Sequence, residues 1–121
     1  MENSINKAVI YTRVTDKDND AFTLSQEEQT SFCKVYAAEH EMEVIEIYHD
    51  YGPSGFEIIR PALTDMLQMI ATEQNMHVLV ASSDRFGRDI LVMANIHHTI
   101  QLLGAKVIDV SAETREARRV V

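Results

Sequence analysis

The sequence predicts a three-layer α/β domain in which a four-stranded, mainly parallel sheet is flanked by helices. Two observations carry that expectation. Short β-rich apolar runs alternate with segments whose apolar residues recur at helical spacing, and the resulting order β-α-β-α-β-α-β builds a parallel sheet with helical crossovers. The chain has 121 residues, 45% of them hydrophobic, which suits one domain with a core and is too little for two.

"KAVIYTRV", residues 7–14, carries no charge from Ala8 to Thr12 and reads as a buried strand, followed by the polar loop "TDKDNDAF". From about Leu24 to His40, the residues Phe32, Val35, Tyr36 and Ala38 recur at helical spacing, Cys33 lies on the apolar side, and Ser25 with Glu28 is placed as a capping box. "MEVIEIYHD" sets Val44, Glu46 and Tyr48 against Ile45 and Ile47, the pattern of a strand with one partly exposed face. "YGPSGFEII" then reads as a flexible loop. The second helix opens at "RPAL", with Pro61 in its first turn and Leu63, Met66, Leu67 and Ile70 as its apolar stripe. "MHVLVAS" is a short, central third strand. After "SDRFGRD", Ile90, Met93, Ile96, Ile100 and Leu103 form a third helix stopped by Gly104, and "AKVIDV" is the fourth strand.

A net charge of −8 repels a phosphate backbone unless the basic residues are gathered into one patch. The arginines are placed to do so: Arg13, Arg60, Arg85 and Arg88 lie at element ends, Arg115, Arg118 and Arg119 close the chain, and none decorates a long helix. That placement suggests anion binding. The single cysteine makes no intramolecular disulfide, and no apolar run approaches the roughly 20 residues of a membrane helix. With no signal-peptide pattern at the start, the expectation is a soluble, cytoplasmic protein with no membrane partner. His97 and His98 adjoin on a helix and cannot face one metal together, so no metal is expected.

In open parallel sheets the ligand crevice lies beyond the carboxyl ends of the strands, where strand order reverses. Thr15 follows the first strand, Gly52 to Gly55 the second, and Asp84, Arg85 and Arg88 the third. Side-chain alternation turns Tyr11, Arg13 and Thr15 to one face and Thr12 and Val14 to the other, so Arg13 and Thr15 can converge on one group. Arg85 and Arg88, three apart at a helix start, can hold two oxygens of one anion, while Asp84 either caps the helix or orients an arginine. A hydroxyl among guanidinium groups suits phosphoryl transfer, because arginines spread the charge of the transition state. Read blandly, Arg13 and Thr15 are a ragged strand end, Arg85 and Arg88 a solvated helix start, and Gln29 a surface helix residue.

"YTRVT", "SQEEQ" before "YAAEH", "DYGPSGFEIIRPAL" and "SDRFGRD" occur in the order and spacing of the serine recombinases, the resolvases, invertases and serine integrases. The chain resembles that family's catalytic domain from about Lys7 to Val110. The resemblance implies a resolvase-like fold and DNA strand cleavage and rejoining through a covalent link between a hydroxyl and a 5′ phosphate, without metal or other cofactor. It puts the nucleophile at Thr15, the arginines of the scissile phosphate at Arg13, Arg60, Arg85 and Arg88, their neighbouring acid at Asp84, and supporting positions at Tyr11 and Gln29. It further implies DNA as partner and assembly into homo-oligomers, or hetero-oligomers with a related recombinase. Residues 1–121 correspond to the catalytic domain, and the family's long dimerisation helix and DNA-binding module are absent from them. Thr15 stands where the family has serine, and its extra methyl is expected to impair cleavage. The alternative is a recombinase-like regulator acting through protein contacts.

Overall fold

The computed structural model describes residues 6–15, 24–52, 60–87 and 89–114. Its elements, in chain order, are β1 (Asn6–Thr15), α1 (Gln26–Glu39), β2 (Met42–Gly52), α2 (Pro61–Thr72), β3 (Met76–Val80), a 3₁₀ turn (Ser83–Phe86), α3 (Ile90–Leu102) and β4 (Lys106–Asp109), after which residues 110–114 are helical. Of the predicted loops at 15–22 and 51–59, Thr15 instead ends β1 and Tyr51 and Gly52 end β2, because β1 and β2 stay paired to that point; the remainder of both loops, Arg88 and the arginines of 115–121 lie outside the described residues.

All strand pairings are parallel, in the order β2-β1-β3-β4. From β1 the chain steps through α1 to β2 on one side, then crosses back through α2 to β3 on the other. Because parallel crossovers keep one hand, steps in opposite directions put their helices on opposite faces. Accordingly Ala8 and Ile10 of β1 pack with Cys33 and Ala37 of α1, whereas Val9 and Tyr11 pack with Leu63, Met66 and Ile70 of α2 and Ile100 of α3. Three layers result, as the sequence predicts. The order reverses between β1 and β3, so their carboxyl ends flank the crevice.

Local chemistry sets the element ends. Ser25 caps α1 in a reciprocal box, its hydroxyl accepting from the Glu28 amide at 3.1 Å while its own amide donates to Glu28 Oε1 at 2.8 Å. Burial pushes the Cys33 thiol up to about 12, with the charge of Asp109 adding to the effect.

The structure corrects the sequence expectation for which side chains three of the elements turn inward. In β2 a register shift between Ala8 and Val9 of its partner leaves Ile45 as an extra residue, and the alternation changes phase there. Val44 and Ile47 therefore both face α1, and Ile45 turns outward. In α1 the buried positions are Gln29, Cys33 and Ala37, while Val35 is 57% exposed, because the stripe facing the sheet is rotated from the most apolar one. In α3, Met93, Ile96, Ile100 and Leu103 do pack inward, but Ile90 is 73% exposed at the helix start.

Candidate active site

β1 outruns β3. Their pairing ends at Tyr11 with Val80, whereas β1 continues beside β2 to Thr15 opposite Gly52. The backbone of Arg13 therefore needs other partners on its free edge. Gln29 of α1 supplies them with its side-chain amide: Oε1 accepts from the Arg13 amide at 3.2 Å, and Nε2 donates to the Arg13 carbonyl and to the Leu24 carbonyl, both at 3.1 Å. Gln29 is 1% exposed, so it is no surface residue. It secures the end of β1 as a further strand would.

Arg85 reaches the same place from the 3₁₀ turn, its Nη1 donating to the Arg13 carbonyl at 2.8 Å. Neither Arg85 nor Asp84 stands at the start of α3, which begins at Ile90 with Asp89 as its cap, Oδ1 accepting from Leu91 at 2.7 Å. Asp84 meets an arginine within the turn: its Oδ1 accepts from Arg85 Nε at 3.3 Å and from the Ser82 hydroxyl.

Asp50, near the end of β2, is a site residue that sequence reasoning missed. Its carboxylate accepts from the Tyr11 hydroxyl at 2.8 Å and from the amides of Ala62 and Leu63 at 2.9 and 3.0 Å. Those amides are orphan donors of the first turn of α2, where Arg60 occupies the cap position and caps nothing with its side chain. Asp50 thus caps α2 from another element and ties it to β1. The ring of Tyr11 stacks on Phe86 with centroids 5.8 Å apart. Burial, and then the Asp50 carboxylate, raise the Tyr11 hydroxyl well above its ordinary 10.0, so it stays a donor.

Arg60 donates from Nη1 to the Phe86 carbonyl, linking α2 to the arginine-bearing turn. Gly87, next in the chain, is what permits the approach: a Cβ there would meet Val92 Cγ1 at 2.9 Å and Arg60 Nη2 at 3.4 Å, on a backbone at φ +156° that side chains rarely adopt. Gly87→Ala is expected to destabilise the domain by about 1–3 kcal/mol and to displace Arg60. Urea unfolding measures the first, and crystallography of the variant the second.

Thus the structure brings Tyr11, Arg13, Arg60, Asp84 and Arg85 to one end of the sheet, with Thr15 two residues beyond Arg13 on the same side of β1. Exposures are 5% for Arg13, 4% for Thr15 and 8% for both Arg60 and Arg85. Thr12, on the alternate side, places its hydroxyl 2.6 Å from His49 Nδ1.

The turn itself hangs on Asp109, at the end of β4. Oδ2 accepts from the Ser83 amide and hydroxyl, both at 2.8 Å, and Oδ1 accepts from the Ser111 hydroxyl at 2.7 Å and the Ala112 amide at 2.9 Å. Partial burial alone would raise the Asp109 carboxyl, but these donors outweigh it and hold the group below its ordinary 3.8. A depressed carboxyl contributes stability that is fully present above the unfolded value and lost as pH falls through the folded one. Wild type is therefore expected to lose more stability than Asp109→Asn when the pH is lowered below about 4, as urea unfolding at a series of pH values would register.

Among the described residues, no cluster of three or more His, Cys, Asp or Glu side chains is placed to hold a metal ion, and no helix is long and apolar enough to cross a membrane.

The family model described as the resolvase N-terminal domain matches residues 8–120. Among solved structures, the chain is similar to a resolvase family site-specific recombinase from Streptococcus pneumoniae, at 29% identity and TM-score 0.69 over 90% of this chain and 74% of that one. It is similar to the N-terminal catalytic domain of TP901-1 integrase at 26% identity and TM-score 0.73, over 88% and 78% of the two chains. The C-terminal catalytic domain of ISC1926 TnpA, an IS607-like serine recombinase, aligns at 25% identity and TM-score 0.68, over 86% and 70%. No curated protein matches in sequence. With its parallel sheet, its arginine-rich strand ends and a family match over nearly its whole length, this chain belongs to the resolvase N-terminal domain family, the catalytic domains of serine recombinases.

Proposed function

We propose that this domain cuts and rejoins DNA through Thr15. The Thr15 hydroxyl oxygen attacks a backbone phosphate, a phosphorus–oxygen bond forms to Thr15, and the bond to the 3′ oxygen breaks. The 3′ oxygen leaves with a proton, in net balance the one that Thr15 gives up. Attack by a 3′ hydroxyl on the threonine-linked 5′ phosphate reverses these changes and reseals a strand. Arg13, Arg60 and Arg85 carry the charge of the pentacovalent state, and Arg88 joins them on the strength of the motif. Asp84 orients Arg85, while Tyr11 and Gln29 hold β1 in place.

The observation that carries this proposal is the gathering of three buried arginines, Arg13, Arg60 and Arg85, at the end of the sheet where β1 finishes in Thr15, in a chain of net charge −8. A phosphodiester supplies what such a site attracts. DNA is thus the partner, and a pair of copies supplies the two cuts that a duplex break needs.

The test joins the chain to a DNA-binding module of known sequence preference, so that two copies meet on one duplex. Mass spectrometry should find a 5′-phosphoryl adduct on Thr15, absent from Thr15→Ala. An adduct elsewhere, or equal cleavage by Thr15→Ala, would overturn the assignment.

A second reading rests on the methyl of Thr15 at a position only 4% exposed. A regulator that pairs with an active relative without cutting DNA keeps the fold and the arginines. If Thr15→Ser is also silent in the fused dimer, that reading takes precedence.

A further inference from the structure

We propose that Asp109 is a positioning residue for Arg85, acting through Ser83 from the end of β4. The inference rests on the proposed role of Arg85 at the scissile phosphate.

Arg85 sits on a turn of only four residues, Ser83–Phe86, and a turn that short has little internal hydrogen bonding to fix it. Its first residue is held from outside. Asp109 Oδ2 takes both the amide and the hydroxyl of Ser83, while Ser111 and Ala112 bind Oδ1. The two oxygens thus divide the work: one fixes the turn, and the other fixes the start of the helical residues 110–114. The Ser111 amide adds a bond to the Ala81 carbonyl at 3.0 Å, so the segment before the turn is bound to the same helix start. From Ser83 the turn carries Asp84 against Arg85 Nε and Arg85 Nη1 against the Arg13 carbonyl. The far end of the turn is held at Phe86, by Arg60 and by the ring of Tyr11, so loss of the Ser83 anchor loosens the end that leads into Asp84 and Arg85.

A purely structural Asp109 would lower stability without altering Arg85 in molecules that remain folded. The distinguishing readout is the Arg85 Nε–H signal in ¹⁵N NMR of the full chain, recorded well below the melting temperature. In wild type that hydrogen is bound to Asp84. In Asp109→Ala its exchange with solvent is expected to quicken on the order of tenfold or more, and in Ser83→Ala by several-fold. Ser111→Ala, which takes the hydroxyl from Oδ1 and leaves Oδ2 on Ser83, should lower the melting temperature and leave the Arg85 signal in place. Should Asp109→Ala fail to fold, Ser83→Ala against Ser111→Ala decides the matter alone. An Arg85 signal unchanged in Ser83→Ala, or lost equally in both serine variants, overturns the proposal.

Binding to a short mixed-sequence DNA duplex at low salt separates this inference from the functional one. Arg85→Ala should weaken binding, and Ser83→Ala should weaken it in wild type yet add nothing in the Arg85→Ala background. If Arg85→Ala binds like wild type, the assignment of Arg85 to a phosphate fails and the positioning of Arg85 fails with it as a functional device. If Arg85→Ala weakens binding and the serine variants do not differ, only the role of Asp109 is overturned.

Discussion

Thr15→Ser is expected to raise the rate of DNA cleavage roughly ten- to a hundredfold. The hydroxyl chemistry of the two residues is the same, so the difference lies in the added methyl and the stiffer χ1 of a β-branched side chain. Thr15 is 4% exposed at the end of β1, opposite Gly52, and its neighbours at this edge are held by bonds from three other elements. A site so constrained cannot move aside cheaply. Overpacking costs about 1–3 kcal/mol, and if that cost falls on the geometry of attack, each 1.4 kcal/mol or so is a tenfold loss in rate. Single-turnover cleavage by the fused dimer measures the ratio. A ratio near one would mean that the site accommodates the methyl, and the threonine is then a full substitute for serine.

Asp50→Ala is expected to destabilise the domain by about 3–5 kcal/mol, the cost of removing one partner from a buried, charge-assisted network. The truncation strands the Tyr11 hydroxyl inside the core and returns two amide donors of α2 to the unbonded state. Asp50→Asn keeps one acceptor oxygen and should cost about half as much. Tyr11→Phe preserves the stacking on Phe86 and loses only the hydroxyl, so about 1 kcal/mol is expected. In a double-mutant cycle Asp50 and Tyr11 should be non-additive, because each removes the same bond. Under the proposed function Arg60, which immediately precedes the capped turn, contacts the phosphate, so Asp50→Ala should weaken DNA binding more than its loss of stability explains. Urea unfolding and DNA binding of the folded fraction test the two parts.

Element type and order were legible because each depends on local signals: the uncharged β-rich run of β1, the capping box at Ser25 and Glu28, and Pro61 at the first turn of α2 are all short-range. Where a stripe faces was less legible. α1 has apolar residues on more than one side, and only contact with the sheet selects Cys33 and Ala37 over Val35. The change of phase in β2 was invisible for a related reason. An extra residue alters the pairing with a neighbour, and nothing in "EVIEI" alone marks it.

The sequence by itself determined the α/β class, the parallel sheet and the strand end that carries Arg13 and Thr15, and the motif spacing connected those residues and Arg85 to a family. Tertiary structure decided how other groups hold them. Gln29 lies 16 residues from Arg13, Asp50 lies 39 from Tyr11, and Asp109 lies 26 from Ser83. Each is a single polar residue whose bonding capacity is compatible with many surface positions. What turns it into a support is a backbone amide or a hydroxyl that the fold brings within 3 Å or so of it.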